Sequence, residues 1–130
     1  MKKFIAVLLA CVMLFSVAFA FPMNFSIMPR TGFFDRTVKV SAGTTWTSYK
    51  YEVSSSYKNV YLDADLISGG AVTVELYGAN STSTTGTKLG SLSVSGYKNY
   101  LSAKNTYTYY HVKIINNSSS DSSVVIQLYA

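Results

Sequence analysis

Cysteine is nearly missing from this chain of 130 residues: the one that occurs, Cys11, sits inside an N-terminal apolar run. A single thiol closes no intrachain disulfide, so an exported chain of this size must hold together through an apolar core. Histidine also occurs once, at His111. That excludes a zinc site of the usual His/Cys type within one chain. A Ser-His-Asp arrangement would have to use His111, and there is no Gly-x-Ser-x-Gly elbow to carry its nucleophile. Charged residues make up 13% of the chain, and beyond residue 20 the lysines are spread singly, without the Lys/Arg cluster that tracks a phosphate backbone. Gly69-Gly70 joins two predicted strands, whereas a phosphate-cradling loop would open a helix. These absences predict a protein with no enzymatic activity, no cofactor and no nucleic-acid partner.

What is present begins with residues 1–20. Lys2 and Lys3 precede an almost unbroken apolar run from Phe4 to Val17, and Ala18-Phe19-Ala20 forms a small-x-small cleavage signature. The pattern predicts a cleaved secretory signal peptide of bacterial type, and hence a secreted, extracellular or cell-wall-associated protein. The run approaches the roughly 20 apolar residues of a spanning helix, and Leu8-Leu9-Ala10-Cys11 resembles a lipidation motif. The tripartite charged, apolar and small-residue order favours the signal over the anchor. The greasy residues after Cys11 disfavour a lipid tether. Cleavage after Ala20 removes Cys11, Lys2 and Lys3 and lowers the net charge from +5 to +3. No membrane span is expected beyond Ala20, and about 110 residues suffice for one domain.

Residues 21–35 form an N-terminal amphipathic segment. Phe21, Met23, Phe25 and Ile27 alternate with Pro22, Asn24 and Ser26 until Pro29 interrupts the pattern. This spacing suits the first strand of the same domain, a donor strand inserted into the edge of a second copy, or a propeptide or membrane-touching tail. Residues 36–130 form the predicted sandwich domain. There apolar residues recur with the period of two that sends alternate side chains to opposite faces of a sheet. Val38 and Val40 open one strand and Tyr49, Tyr51 and Val53 share a face of a second. Val60, Leu62, Ala64 and Leu66 make a third row and Val72, Val74 and Leu76 a fourth. Leu92 and Val94 mark a weaker strand, and Tyr110, Val112, Ile114 and then Val124, Ile126, Leu128 close the series. Ser- and Gly-rich clusters separate the runs. The expected fold is all-β: a single small antiparallel β-sandwich, jelly-roll-like or Ig-like, of about seven to eight strands.

Two side-chain groups are candidates for function. Asp63, Asp65 and Glu75 fall on the outward parity of strands flanking Ser68-Gly69-Gly70; pairing across that turn would bring the three carboxylates together. They could begin a calcium site, but the spacing lacks the further ligands of a calcium loop. A solvated polar face is the plainer expectation. The aromatic pattern is more informative, because beyond Phe34 the chain uses eleven tyrosines and Trp46 and no phenylalanine. Tyr107, Tyr109, His111 and Lys113 share the outward parity of one strand. A hairpin between that strand and Ser122 to Tyr129 would set Tyr109 opposite Tyr129 and His111 opposite Gln127. Tyr107, Tyr109, His111 and Tyr129 are then the candidate ligand-binding residues, apolar-faced and polar-rimmed, suited to sugar rings or a protein partner. The alternative is that these tyrosines are cross-strand pairs stabilising the sheet.

Other motifs have bland explanations. Asn24-Phe25-Ser26, Asn80-Ser81-Thr82 and the overlapping pair at Asn116 and Asn117 match the glycosylation sequon as chance occurrences in polar turns. Asn80 to Gly86 suits a mobile hairpin tip more than a binding loop. Val124 to Tyr129 is uncharged and strongly β-forming, a site for assembly if it lies at a sheet edge.

The Trp46-to-Val53 strand, and Tyr109-Tyr110-His111-Val112-Lys113-Ile114 followed by a polar turn and Val124 to Tyr129, resemble the small exported β-sandwich modules of bacteria. Those include carbohydrate-binding modules and the pre-peptidase C-terminal type of domain. The resemblance covers about half of the predicted mature chain and transfers no functional residue. The favoured function is a secreted, non-enzymatic module that binds a glycan or cell-surface partner through its Tyr-rich face. A self-associating structural or matrix protein and a secreted toxin or bacteriocin-like effector are the alternatives.

Overall fold

The computed structural model describes residues 32–97 and 99–130; the predicted signal peptide and the alternating segment up to residue 31 lie outside the described residues. The described chain forms nine strands: β1 (Gly32–Val40), β2 (Thr45–Thr47), β3 (Tyr51–Glu52), β4 (Asn59–Ser68), β5 (Val72–Ala79), β6 (Thr87–Val94), β7 (Asn99–Lys104), β8 (Tyr109–Ile115) and β9 (Ser122–Tyr129). They make a four-stranded sheet in the order β1-β9-β4-β7 and a five-stranded sheet in the order β2-β8-β5-β6, with β3 also paired to β8. All pairings are antiparallel. The chain changes sheet at every connection except β2–β3 and β5–β6. This is the jelly roll, with β2 and β3 acting as two halves of one strand. No described helix is long and apolar enough to cross a membrane.

Parity explains the sandwich. Along β4, Val60, Leu62 and Ala64 are fully buried while Tyr61, Asp63 and Asp65 point outward. Val124, Ile126 and Leu128 of β9 extend this inner row, and Val74, Leu76, Tyr110, Val112 and Ile114 face it from the other sheet. Burying each larger aliphatic side chain is worth about 1.5–3 kcal/mol. A one-residue slip of any of these strands would expose its whole row.

Each end of the sandwich is tied by a buried polar side chain. At one, the fully buried Asn116 donates from Nδ2 to the carbonyls of Val40 (3.0 Å) and Ser120 (2.9 Å), and its Oδ1 accepts from the Ser118 backbone N–H (3.0 Å) and hydroxyl (2.6 Å). The acceptor side chain of the Asn116 sequon is therefore sealed inside the fold. At the other end, the Tyr110 hydroxyl accepts from the N–H groups of Thr106 (3.0 Å) and Tyr107 (3.1 Å) and donates to Asn105 Oδ1 (2.9 Å). Gly69 turns the chain from β4 into β5 at φ +91°, and a Cβ there would lie 2.0 Å from the Asp121 carbonyl oxygen. Both the dihedral and the space demand glycine.

Three expectations are corrected, and one condition is settled. The strands flanking Ser68-Gly69-Gly70 do not pair, since β4 and β5 belong to different sheets. The predicted hairpin between β8 and β9 fails in the same way, because the segment held by Asn116 crosses between sheets. The condition under which Val124 to Tyr129 would be a site for assembly is not met, because β1 and β4 pair with β9 on its two sides. The expected Trp46-to-Val53 strand is broken. Thr47 pairs with Lys113 and Tyr51 with Tyr110, which leaves one extra residue on the β2–β3 side. Ser48 occupies this bulge, accepting the Val112 N–H on its Oγ (2.9 Å) and donating its own N–H to the Val112 carbonyl (2.9 Å). Tyr49, expected on the inner face with Tyr51 and Val53, is 81% exposed as a result.

β7 was not expected, and β1 begins earlier than residue 36. Phe33 is the extra residue of a bulge between Gly32 and Phe34. Its ring meets Tyr57 edge-on at 6.4 Å, and Phe34 stacks on Tyr51 at 5.1 Å. Both phenylalanines thus belong to the sandwich.

Candidate functional site

The four residues expected to form one patch are divided among three places. Tyr109 and His111 lie on the outward side of β8, in register with Ala79 and Tyr77 of β5. Tyr107 precedes β8, and its ring turns inward at the end of the core. It meets Tyr110 edge-on at 6.3 Å and fills the space beside Gly78, where a Cβ would sit 2.4 Å from the ring. Outward parity does not carry across the bend before Tyr109. Tyr129 lies on the outer face of the opposite sheet, stacked on Tyr61 at 5.3 Å, with its hydroxyl donated to both carboxylate oxygens of Asp63 (3.1 Å each).

The outer face of the five-stranded sheet gathers the denser constellation. His111 lies against Tyr77, centroids 5.1 Å apart and planes within 17°. Lys113, two residues along β8, sets its Nζ 5.0 Å from the centre of the Tyr77 ring. The Tyr77 hydroxyl donates to Glu75 Oε2, and Glu75, only 8% exposed, pairs with Lys88 at 3.9 Å. That hydrogen bond, with burial and the Glu75 charge adding to it, pushes the Tyr77 phenol above its ordinary pKa. His111 is 3% exposed, and among the described residues its buried Nδ1 has no hydrogen-bond partner. Burial, and then the charges of Lys50 and Lys113, hold the imidazole below its ordinary pKa.

Lys50 belongs to this site because it precedes Tyr51, which pairs inward with Tyr110, so alternation puts it on the His111 side. Its ammonium donates to the carbonyls of Ser81 (3.2 Å), Thr82 (2.9 Å) and Thr84, which tethers the β5–β6 hairpin tip. Between that tip and the sheet lies a cavity of about 240 Å³, lined by Thr47 and Ser48, Lys50, Ser83 to Thr85, His111 and Lys113. The Asn80 to Gly86 segment, expected to be a plain hairpin tip, forms one of its walls. A second, polar cleft of about 610 Å³ at the end of the sandwich is lined by Glu52 to Ser55, Tyr107 and Thr108.

Because the His111 and Tyr77 rings cover each other, little aromatic face is left for a ligand to stack on. The chemistry presented to the cavity is polar: hydroxyls, two ammonium groups and an imidazole. Outward parity flagged His111 and Lys113 in the sequence. Tyr77 shows the same outward parity on its own strand, but nothing local says that it meets His111. Alternation with Tyr49, Tyr51 and Val53 puts Lys50 on the outward face, but nothing local says that its partners lie more than thirty residues away.

The carboxylates do not converge. Asp63 and Asp65 lie on the outer face of the four-stranded sheet and Glu75 on that of the other. Among the described residues no group of three His, Cys, Asp or Glu side chains is placed to hold a metal ion. The four-stranded face carries its own polar row, in which Gln127 donates to Asp35 (2.9 Å) and the 64%-exposed Tyr100 pairs opposite Asp63.

The sequence matches no protein-family model and none of the curated proteins. Solved structures with a similar arrangement of strands include PirA, at 13% identity over 80% of this chain and 100% of that one, with a TM-score of 0.48. A Bacillus endospore appendage protein, of a family of disulfide-linked pili, is 17% identical over 77% of this chain and 88% of its own, with a TM-score of 0.37. The carbohydrate-binding module CBM36, solved with calcium and xylotriose, is 13% identical over 79% and 93%, with a TM-score of 0.38. Structural neighbours thus include a carbohydrate-binding module and an appendage protein. At these scores the likeness concerns sandwich architecture and carries nothing about a site.

Proposed function

We propose that this protein is a small extracellular, non-catalytic binding module that takes a glycan at the outer face of its five-stranded sheet, in the cavity beneath the β5–β6 hairpin tip. The observation that carries this reading is the cavity itself: about 240 Å³, walled by threonine and serine hydroxyls and lined by a histidine only 3% exposed. Ligand sites combine concavity with a few convergent polar groups. A sugar ring, which offers hydroxyls all round, matches such a wall. The volume lies below the roughly 300 Å³ lower end for drug-sized ligands, which suits a single pyranose unit at a chain end or branch.

Two features support a non-catalytic role. The His111 Nδ1 has no hydrogen-bond partner among the described residues, so no described acid orients the ring through that atom as in a Ser-His-Asp triad. The Ser48 hydroxyl is also engaged, accepting from Val112 and donating to the Tyr49 carbonyl at 2.8 Å. Strand-edge assembly through Val124 to Tyr129 is disfavoured, because that strand is paired on both sides.

A glycan array probed with the wild-type protein and with His111→Phe tests the reading. Phenylalanine preserves a ring against Tyr77 and removes both ring nitrogens. Selective glycan binding that the variant loses by tenfold or more, with its thermal unfolding retained, is the expected result. An array with no signal, together with a protein that elutes as a large assembly, would contradict it in favour of a structural role.

A further inference from the structure

We propose that the sugar taken by this cavity is an acidic one, a uronate whose carboxylate pairs with the Lys113 ammonium while its ring hydroxyls meet Thr47, Thr84 and Thr85. This rests on the cavity being the glycan site, and it adds the charge class of the ligand. Lys50 and Lys113 both line the cavity, and no carboxylate does. Of the acids on this face, Glu75 is turned to the Tyr77 hydroxyl and Lys88, and Glu52, opposite Tyr109, lines the separate cleft at the end of the sandwich.

What holds the two lysines is neutral. Three backbone carbonyls hold the Lys50 ammonium, and an aromatic ring lies beneath that of Lys113. Such partners fix a charge in place without cancelling it. Among the described residues neither lysine forms an ion pair. The buried His111 imidazole reads the resulting positive potential, since both lysines disfavour its protonation. In a partly enclosed site such a potential is screened less than on an open surface.

The two lysines have different roles. Lys50 spends its donors on the hairpin tip and contributes charge alone. Lys113 keeps its ammonium protons available beside the hydroxyls, so it is the direct partner of a carboxylate. Thr47 and Lys113 are cross-strand neighbours, and Thr84 and Thr85 stand on the opposite wall. A pyranose carrying its carboxylate on the ring satisfies both halves of the site, whereas a bare carboxylate reaches the ammonium only.

The test is a titration of the protein followed by amide and imidazole NMR shifts at pH 7 and constant ionic strength. The probes are sodium D-glucuronate, sodium D-galacturonate, D-glucose, D-galactose and sodium acetate. One uronate is expected to move His111, Lys113 and Thr84 saturably, with at least tenfold tighter binding than its neutral counterpart or acetate. Lys113→Gln is expected to bring that uronate down to the level of the neutral sugar, and Lys113→Arg to keep most of the affinity. Equal binding of neutral sugar and uronate at these residues would overturn the acidic class while leaving the glycan site in place. Acetate binding as tightly as the uronate would overturn the sugar component. If none of the five probes moves these signals, the glycan reading of the cavity fails with the proposal.

Discussion

His111 and Tyr77 face each other across the β5–β8 ladder with ring centroids 5.1 Å apart, and the buried Nδ1 of the imidazole has no partner among the described residues. A histidine in that position favours its neutral form, and the stability of the fold depends on pH as a consequence. The unfolded chain takes up this proton near 6.5, the folded chain only at lower pH. Between those values the unfolded state binds more protons, so stability rises with pH across the interval. The contribution is complete above about pH 6.5 and is lost as pH falls through the folded value. Urea unfolding of the wild type is expected to show a lower midpoint at pH 5 than at pH 7.5. The His111→Phe variant should be flatter over the same window, and an unchanged slope would contradict the burial argument.

Asn116 is expected to be the most sensitive polar position. Its side chain makes two donated and two accepted hydrogen bonds, all within the fold. Truncation would remove all four hydrogen bonds at once, and each buried group left unsatisfied costs about 1–3 kcal/mol. Asn116→Ala should therefore destabilise by about 3 kcal/mol, while Asn117→Ala, at an exposed neighbour, should stay within about 0.5 kcal/mol. Chemical denaturation of the two variants makes the comparison.

Gly78 and Tyr107 form a coupled pair. A methyl group on Gly78 would meet the Tyr107 ring at 2.4 Å, so Gly78→Ala is expected to destabilise by about 1–3 kcal/mol through overpacking. In a Tyr107→Ala background the same change should be largely tolerated. The double-mutant cycle reads that non-additivity directly, and additive effects would place the ring elsewhere.

Lys50→Met removes the ammonium that tethers the β5–β6 tip. Because the contact is largely solvent-exposed, the loss in global stability should be small, about 1 kcal/mol or less. Local opening should increase much more. Hydrogen exchange at Ser83 to Gly86 is expected to accelerate, with the β5 and β8 amides unchanged.

The inner rows of β4, β5, β8 and β9 were legible because burial enforces a period of two. The partners of those strands were not. Parity says which way Leu62 or Ile114 points; it does not say which strand lies alongside. Assuming that consecutive strands form hairpins produced the Asp63–Glu75 cluster and the Tyr109–Tyr129 patch, and a jelly roll crosses between its sheets at both places. β7 escaped notice because its inner residues, Leu101 and Ala103, are few and flanked by Asn and Lys. On the site, the outward placement of Tyr109, His111 and Lys113 followed from the strand pattern. The inward turn of Tyr107 depends on a bend and on the missing Cβ of Gly78, and the exposure of Tyr49 depends on a single bulged residue. Such one-residue irregularities leave almost no trace in periodicity.

Whether the cavity is the glycan site is decided by mapping the contacts of the glycan selected on the array, through amide and imidazole NMR shifts of the protein. The largest shifts are expected on His111, Lys113 and Ser83 to Thr85, with Tyr61, Asp63, Tyr100 and Tyr129 silent. Shifts concentrated on those four residues of the opposite sheet, with the His111 imidazole unmoved, would contradict it.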